Sequence, residues 1–266
     1  TLGSRLEVSD RDLERIPREG PLVVVSNHPL GGVDGLALMS LVLQRRPDVK
    51  LLANSILNRF KAFRPYLLPV DILGEENASN RNAFALKGAI RWVNEGGCLA
   101  AFPAGRVSHW RWRSLSVSDG KWNPAVVALA QKTNASITPV FFEGRNSAWF
   151  QGIGCLHSRL CTLLLGRELW NRRGTAIAAR VGESLPPSRW REFSGANELN
   201  THLRLRVEAL RNTAKPPSEN RKKNVVEPLA TGPSPQAVET EIINLPQEAE
   251  LARKGDFVIY STHATC

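Results

Sequence analysis

Apolar residues fall into short, β-branched runs separated by longer stretches with helical spacing. Pro21 to Ser26 is one such run, long enough for a buried strand. Val49 to Ala53, Leu67 to Ile72, Cys98 to Phe102, Ile137 to Phe142 and Thr175 to Val181 predict further strands. Between them, Leu36 to Gln44 predicts a helix. Asn80 to Glu95 places Phe84, Ala85, Ala89, Trp92 and Val93 at helical spacing and stops on Gly96-Gly97. Pro124 to Thr133 predicts a helix with proline in its first turn, and Glu198 to Arg211 a basic amphipathic one. This alternation predicts an α/β domain, a mostly parallel central sheet flanked by helices. Sites in such sheets lie at strand ends, where loops converge. His28 and Pro103 each follow a predicted strand closely.

From Lys215 to Pro235 the composition shifts to Pro, Ser, Asn, Lys and Gly with little periodicity, as in a linker. Glu239 to Tyr260 resumes helix-like and strand-like patterns over too short a span for a domain. The expected organisation is a domain over residues 1–212, a linker over 213–228 and a truncated second-domain fragment over 229–266. The sequence begins at Thr1 without an initiator Met and ends at Cys266 just after a strand-like run, so it reads as a piece of a longer protein. No internal repeat is visible.

Composition narrows the classes. With 42% hydrophobic and 23% charged residues, disorder throughout is excluded. No apolar run approaches the roughly 20 residues of a membrane-spanning helix, and no signal-peptide pattern opens the sequence. The four cysteines form no C-x-x-C pair, which fits reduced thiols. His109, His157, His202 and His263 are dispersed without ligand spacing, so no metal is expected. Net charge is +10, and it is unevenly placed: residues 1–212 hold 29 Lys and Arg against 18 Asp and Glu, residues 213–266 hold 6 against 7. Such a basic surface suits nucleic acid, anionic lipid headgroups or an acidic protein partner, and charge alone does not choose among them.

The candidate chemistry lies in Asn27-His-Pro-Leu-Gly-Gly-Val-Asp34. Two glycines allow the chain to turn back, so that Asp34 can bond one imidazole nitrogen of His28 and leave the other as a general base. No G-x-S-x-G nucleophile motif accompanies the pair, which suits deprotonation of a substrate hydroxyl. The same residues also fit a loop histidine beside a helix-capping aspartate. A second segment, Phe102-Pro-Ala-Gly-Arg-Val-Ser108, leaves a strand through Pro and Gly. Its exposed backbone N–H groups could bind a headgroup or stabilise an oxyanion, or simply form a turn.

Together these segments carry a resemblance. The sequence resembles the glycerophosphate/lysophospholipid acyltransferase superfamily, marked by an N-H-x4-D block, a later F-P-E-G block and a V-P-V-like strand. The counterparts are Asn27-His28 with Asp34, Phe102-Pro103-Ala104-Gly105 and Thr138-Pro139-Val140. The His-Asp spacing is one residue longer than the general pattern and Ala104 replaces Glu. Both departures resemble a bacterial hemolysin-like, lyso-ornithine lipid O-acyltransferase-like subgroup, as do Gly144-Arg145-Asn146-Ser147 and Val70-Asp71-Ile-Leu-Gly74. The resemblance covers about residues 5–185.

It implies a glycerol-3-phosphate acyltransferase-like fold, with His28 as the base taking the acceptor hydroxyl proton and Asp34 orienting it. Asn27, Pro29, Asn54, Phe102, Pro103, Ala104, Gly105 and Arg106 would bind substrate. The donor would be a thioester on acyl carrier protein or coenzyme A, with no further cofactor. Ala104 lacks the carboxylate that helps hold an acceptor phosphate, so a lyso-ornithine or similar amino-acid lyso-lipid is implied over lysophosphatidate. The implied location is peripheral, on the cytoplasmic face of the bacterial inner membrane.

Two further stretches bear on membrane contact. His109-Trp-Arg-Trp-Arg113 alternates indole and guanidinium, a headgroup-layer composition. Leu156 to Trp170, ending in Arg172-Arg173, reads as an interfacial helix or a core helix with a solvated end. No nucleic-acid motif accompanies the tryptophans, so no nucleic-acid partner is expected. Leu229 to Ala264 resembles the opening of a GNAT-like ornithine or glycine N-acyltransferase domain. A different class, a catalytically silent basic membrane-binding module, shares the charge and leaves the His28–Asp34 pair without a use.

Overall fold

A computed structural model describes residues 5–55, 57, 61–70, 78–105, 107–111, 116–144, 174–213 and 221–225. Ten strands lie among these residues: β1 (Arg5–Ser9), β2 (Leu22–Ser26), β3 (Val49–Asn54), β4 (Leu67–Val70), β5 (Cys98–Ala101), β6 (His109–Arg111), β7 (Ser116–Ser118), β8 (Ser136–Phe142), β9 (Ala176–Val181) and β10 (Arg221–Val225). Six α-helices lie among the described residues: α1 (Asp10–Glu14), α2 (Gly32–Leu43), α3 (Ala78–Asn94), α4 (Ala125–Lys132), α5 (Pro187–Trp190) and α6 (Ala196–Ala209). Eight strands form one sheet in the order β10-β1-β9-β8-β2-β5-β3-β4, while β6 and β7 pair as a separate hairpin. The five strands from β8 to β4 run parallel. Beyond them β9 runs antiparallel to β8, β1 parallel to β9 and β10 antiparallel to β1.

β2 and β5 are buried at every position because both faces of the sheet are covered. Alternate residues of β2 serve opposite sides: Leu22 and Val24 join one core cluster, Val23 and Val25 the other. α2 packs on the first side through Ala37, Leu38, Leu41 and Val42. The second side is covered by α3 (Leu86, Ala89, Val93), α4 (Val127, Ala130) and α6 (Leu199, Leu203, Val207). The mostly parallel α/β architecture is therefore the observed one.

Several expected boundaries shift. α2 begins at Gly32, four residues before the expected start, because Asp34 in its first turn accepts the N–H of Gly31 and caps the helix upstream of the apolar repeat. β1, α1, the β6–β7 hairpin and α5 had no counterpart among the expected elements. Within the stretch read as linker, Arg221–Val225 pairs with β1. Residues 71–77, Leu156 to Arg173 and Glu239 to Tyr260 lie outside the described residues. Among the described residues, no helix is long and apolar enough to cross a membrane.

Candidate active site

Because β8, β2 and β5 are adjacent and parallel, their C-terminal ends open on the same edge, and the loops leaving them meet there. β2 leads directly into Asn27 and His28, β5 into Phe102–Gly105, and β8 into Glu143 and Gly144. His28 is thus placed on the middle strand with one loop on each side.

Asp34 is fully buried and draws the loop back on itself. Its Oδ2 accepts three donors: the N–H of Leu30 at 2.6 Å, that of Gly31 at 3.0 Å, and His28 Nδ1 at 3.0 Å. Gly31 sits at φ +72°, a conformation costly for a residue with Cβ. Burial pushes the Asp34 carboxyl above its usual range, opposed by the His28 and backbone contacts. Oδ1 has no hydrogen-bond partner among the described residues. Helix cap and imidazole partner, alternatives in the sequence, are here the same carboxylate. Bonded through Nδ1, the imidazole presents Nε2 as its remaining nitrogen. The side chain of His28 is 18% exposed, so the imidazole is largely enclosed yet not sealed from solvent.

The Phe102 ring stacks on His28 with centroids 4.1 Å apart and planes 21° apart. Pro103 is buried, Ala104 packs against the second core cluster, and Gly105 is exposed after a turn closed by its N–H to Phe102 O at 2.9 Å. The segment expected to line the acceptor pocket is therefore beside His28. Arg106 lies outside the described residues.

Asn27 has both ends of its amide engaged by β8: Nδ2 donates to Phe142 O at 3.0 Å, and Oδ1 accepts the Phe142 N–H at 2.7 Å. It joins two strand ends and fixes where the His28 loop departs. Pro29 is buried inside that loop. Asn54 ends β3, two strands from β2, opposite Val70 of β4. Gly144, at φ +141°, approaches so closely that a Cβ there would stand 3.0 Å from Leu30 Cδ2. The first residue of Gly144-Arg-Asn-Ser147 thus touches the His28 loop, while Arg145 to Ser147 lie outside the described residues.

Sequence reasoning missed Asp119. This buried carboxylate accepts the His28 N–H at 3.1 Å, the Ser108 hydroxyl and Trp122 Nε1 at 3.0 Å. Its only sequence signal is an acidic residue between a strand-like Ser116-Val-Ser118 and Trp122, and it lies 91 residues from His28.

The arrangement pairs a buried carboxylate with a partly exposed imidazole, and among the described contacts no serine or cysteine side chain is hydrogen-bonded to that ring. A family model described as Acyltransferase matches residues 3–215. The chain belongs to that acyltransferase family. Two curated relatives of this acyltransferase are named lyso-glycine lipid O-acyltransferase. The one from Bacteroides thetaiotaomicron is 28% identical over 213 residues, covering 72% of this chain and 73% of the relative. The one from Phocaeicola vulgatus is 26% identical over 208 residues, covering 72% and 71%. A solved structure, the 1-acyl-sn-glycerophosphate acyltransferase PlsC from Thermotoga maritima, aligns with 20% identity and a TM-score of 0.49 over 80% of this chain and 73% of that one. Among the described residues, no group of three or more His, Cys, Asp or Glu is arranged to hold a metal ion.

Proposed function

We propose that this enzyme transfers a fatty acyl group from a thioester to the hydroxyl of an amino-acid-linked lyso-lipid, with His28 as general base. The observation that carries the reading is the 3.0 Å contact between His28 Nδ1 and the buried Asp34 carboxylate. Hydrogen-bonded there, Nδ1 keeps its proton and Nε2 keeps its lone pair. The acceptor O–H gives its proton to Nε2 as its oxygen bonds to the thioester carbonyl carbon. The resulting imidazolium is stabilised by Asp34. When the tetrahedral intermediate collapses, the C–S bond breaks and the thiolate takes that proton back, giving an O-ester and a free thiol.

The names of the two relatives support an amino-acid headgroup, glycine in their case. Ala104 supports the same choice, since no carboxylate stands there to organise a phosphate site. Lyso-ornithine and lyso-glycine lipids are the proposed acceptors, with Phe102 to Gly105 and the loop from Asn27 to Pro29 beside the reacting hydroxyl, Asn54 further along the sheet edge, and Arg106 as a further proposed substrate-binding residue. The excess of basic residues in 1–212 supports the acidic acyl carrier protein as donor carrier, with acyl-coenzyme A as the alternative. It also supports peripheral attachment to the cytoplasmic face of a bacterial inner membrane. In this reading residues 1–212 form the body of the acyltransferase domain, 213–228 add its edge strand β10 before leaving it, and 229–266 open a GNAT-like N-acyltransferase domain.

The test uses the purified protein with acyl-loaded carrier protein or acyl-coenzyme A and a panel of lyso-glycine, lyso-ornithine and lysophosphatidate acceptors. Ester formation on the amino-acid acceptors, lost in His28→Ala with folding and liposome binding intact, is the expected result. A fully active His28→Ala removes the base from the proposal. Preference for lysophosphatidate removes the acceptor class.

A further inference from the structure

His28 is held at its main chain as well as at its ring. Asp119 Oδ1 accepts the His28 N–H at 3.1 Å, and the N–H of Ser108 donates to the carbonyl of His28 at 2.8 Å. Those two residues are themselves joined, because the Ser108 hydroxyl donates to the same Asp119 Oδ1. Ser108 immediately precedes β6 and Asp119 immediately follows β7, and the paired ends of those strands are His109 and Ser118. The base of the hairpin therefore grips the His28 residue from both sides. Trp122 Nε1 completes the set at 3.0 Å from Asp119 Oδ2. One residue further on, the Asn123 N–H holds Pro103 O at 2.8 Å, next to the Phe102 ring that stacks on His28.

We infer that Asp119 is a positioning residue for acyl transfer: by clamping the main chain of His28 to the base of the β6–β7 hairpin, it sets where Nε2 stands relative to the acceptor hydroxyl. This rests on the reading of His28 as base. The donor pattern explains why a carboxylate is used. Three donors converge on two oxygens, two of them on Oδ1. An asparagine must keep its oxygen at that doubly bonded position, which turns its NH₂ toward Trp122 Nε1–H, donor against donor. Phenylalanine at 122 removes the opposing donor and lets the amide settle with its oxygen still on His28 and Ser108.

The experiment measures kcat, KM for donor and acceptor, and thermal melting for wild type, Asp119→Asn, Asp119→Asn with Trp122→Phe, Ser108→Ala and His28→Ala. A misplacement of the base by about 1 Å costs on the order of 100-fold in rate. Asp119→Asn is expected to lose kcat on that order while KM for both substrates stays unchanged, and the double variant to recover most of it. A kcat that stays at the wild-type value in Asp119→Asn while His28→Ala is inactive overturns the inference and leaves the base intact. An active His28→Ala overturns the base itself. A loss in Asp119→Asn that only mirrors a fall in folded fraction, with no rescue in the double variant, also overturns the inference. Should Asp119→Asn not fold, Ser108→Ala decides: a lower kcat at unchanged KM and melting supports the clamp, an unchanged kcat refutes it.

Discussion

Replacing Asp34 by asparagine separates charge from geometry at this site. Oδ2 is pinned by the Leu30 N–H at 2.6 Å and the Gly31 N–H at 3.0 Å, so the amide oxygen must occupy that position. The amide nitrogen then falls where Oδ1 stands, which faces no hydrogen-bond partner among the described residues. His28 Nδ1–H keeps an oxygen acceptor, and the tautomer is preserved. Only the negative charge is lost. Trading a charge-assisted bond for a neutral one costs about 1.5 kcal/mol, and a full ion-pair term at about 4 Å in a medium of effective dielectric about 20 is about 4 kcal/mol. The expected loss in kcat is therefore about 10- to 1000-fold. An inverted tautomer would instead cost on the order of 10⁴-fold, as in serine proteases.

Stability does not follow activity in this variant. Burial raises the Asp34 carboxyl above its usual 3.8. A raised folded pKa gives stability that is full below the unfolded value and lost as pH rises through the folded one, so at neutral pH the charged group is a cost that asparagine removes. Asparagine also leaves its NH₂ buried at the Oδ1 position without an acceptor, which offsets that gain by about 1–3 kcal/mol, so Asp34→Asn should melt near the wild-type temperature. Asp34→Ala, which strands two buried N–H groups at about 1–3 kcal/mol each, should melt well below it. Single-turnover transfer and calorimetry at pH 7 measure both quantities. A 10⁴-fold loss with intact melting, a wild-type rate, or melting as low as in Asp34→Ala would each refute the pinned-oxygen geometry or the role of the charge.

The remaining expectations probe other parts of the molecule. Gly144→Ala forces a Cβ at φ +141° to within 3.0 Å of Leu30 and should cost about 1–3 kcal/mol with a fall in kcat, seen by thermal melting and initial rates. Cys98, pushed by burial up to about 12, should resist thiol reagents at pH 8 until denaturant is added, as mapped by mass spectrometry. The same raised value predicts that stability falls as pH climbs from the usual 9.0 toward about 12, and that Cys98→Ala flattens this alkaline loss. Arg46 lies at the opposite ends of the strands from His28, bonded to Asp48 at 2.8 and 2.7 Å and to the carbonyls of Gly20 at 2.9 Å and Gly96 at 2.8 Å. Arg46→Met should cost about 2–3 kcal/mol, less than a fully buried pair because Asp48 is 35% exposed, while kcat per folded enzyme stays unchanged.

The central strands were legible because burial on both faces leaves uninterrupted β-branched runs, as in Leu22–Ser26. His28 and Asp34 were legible because a six-residue loop brings them together without help from the rest of the fold. β1 was not, since Arg5-Leu-Glu-Val-Ser9 is short, alternates in polarity and owes its place to Ala176–Ala178 far along the chain. Asp119 was hidden for the same reason. Its partners, His28, Ser108 and Trp122, become neighbours only once the hairpin folds against the sheet edge. The doubly bonded amide of Asn27 was equally invisible, because Phe142 lies 115 residues away.

The order of strands across the sheet differs from the order in which a ribosome makes them. β2, β3, β4 and β5 are synthesised within residues 22–101 and sit side by side, so they can assemble as an early unit. β8 then docks on β2, and only then does the Asn27 amide find Phe142. β1 is translated first and placed late, since β9 must emerge before Leu6 and Val8 have a sheet to join. A nascent chain stalled before residue 136 would carry His28 and Asp34 in full and still lack the seat that aims them. The Asn27–Phe142 pairing therefore waits for β8, the later of the two strands that flank β2.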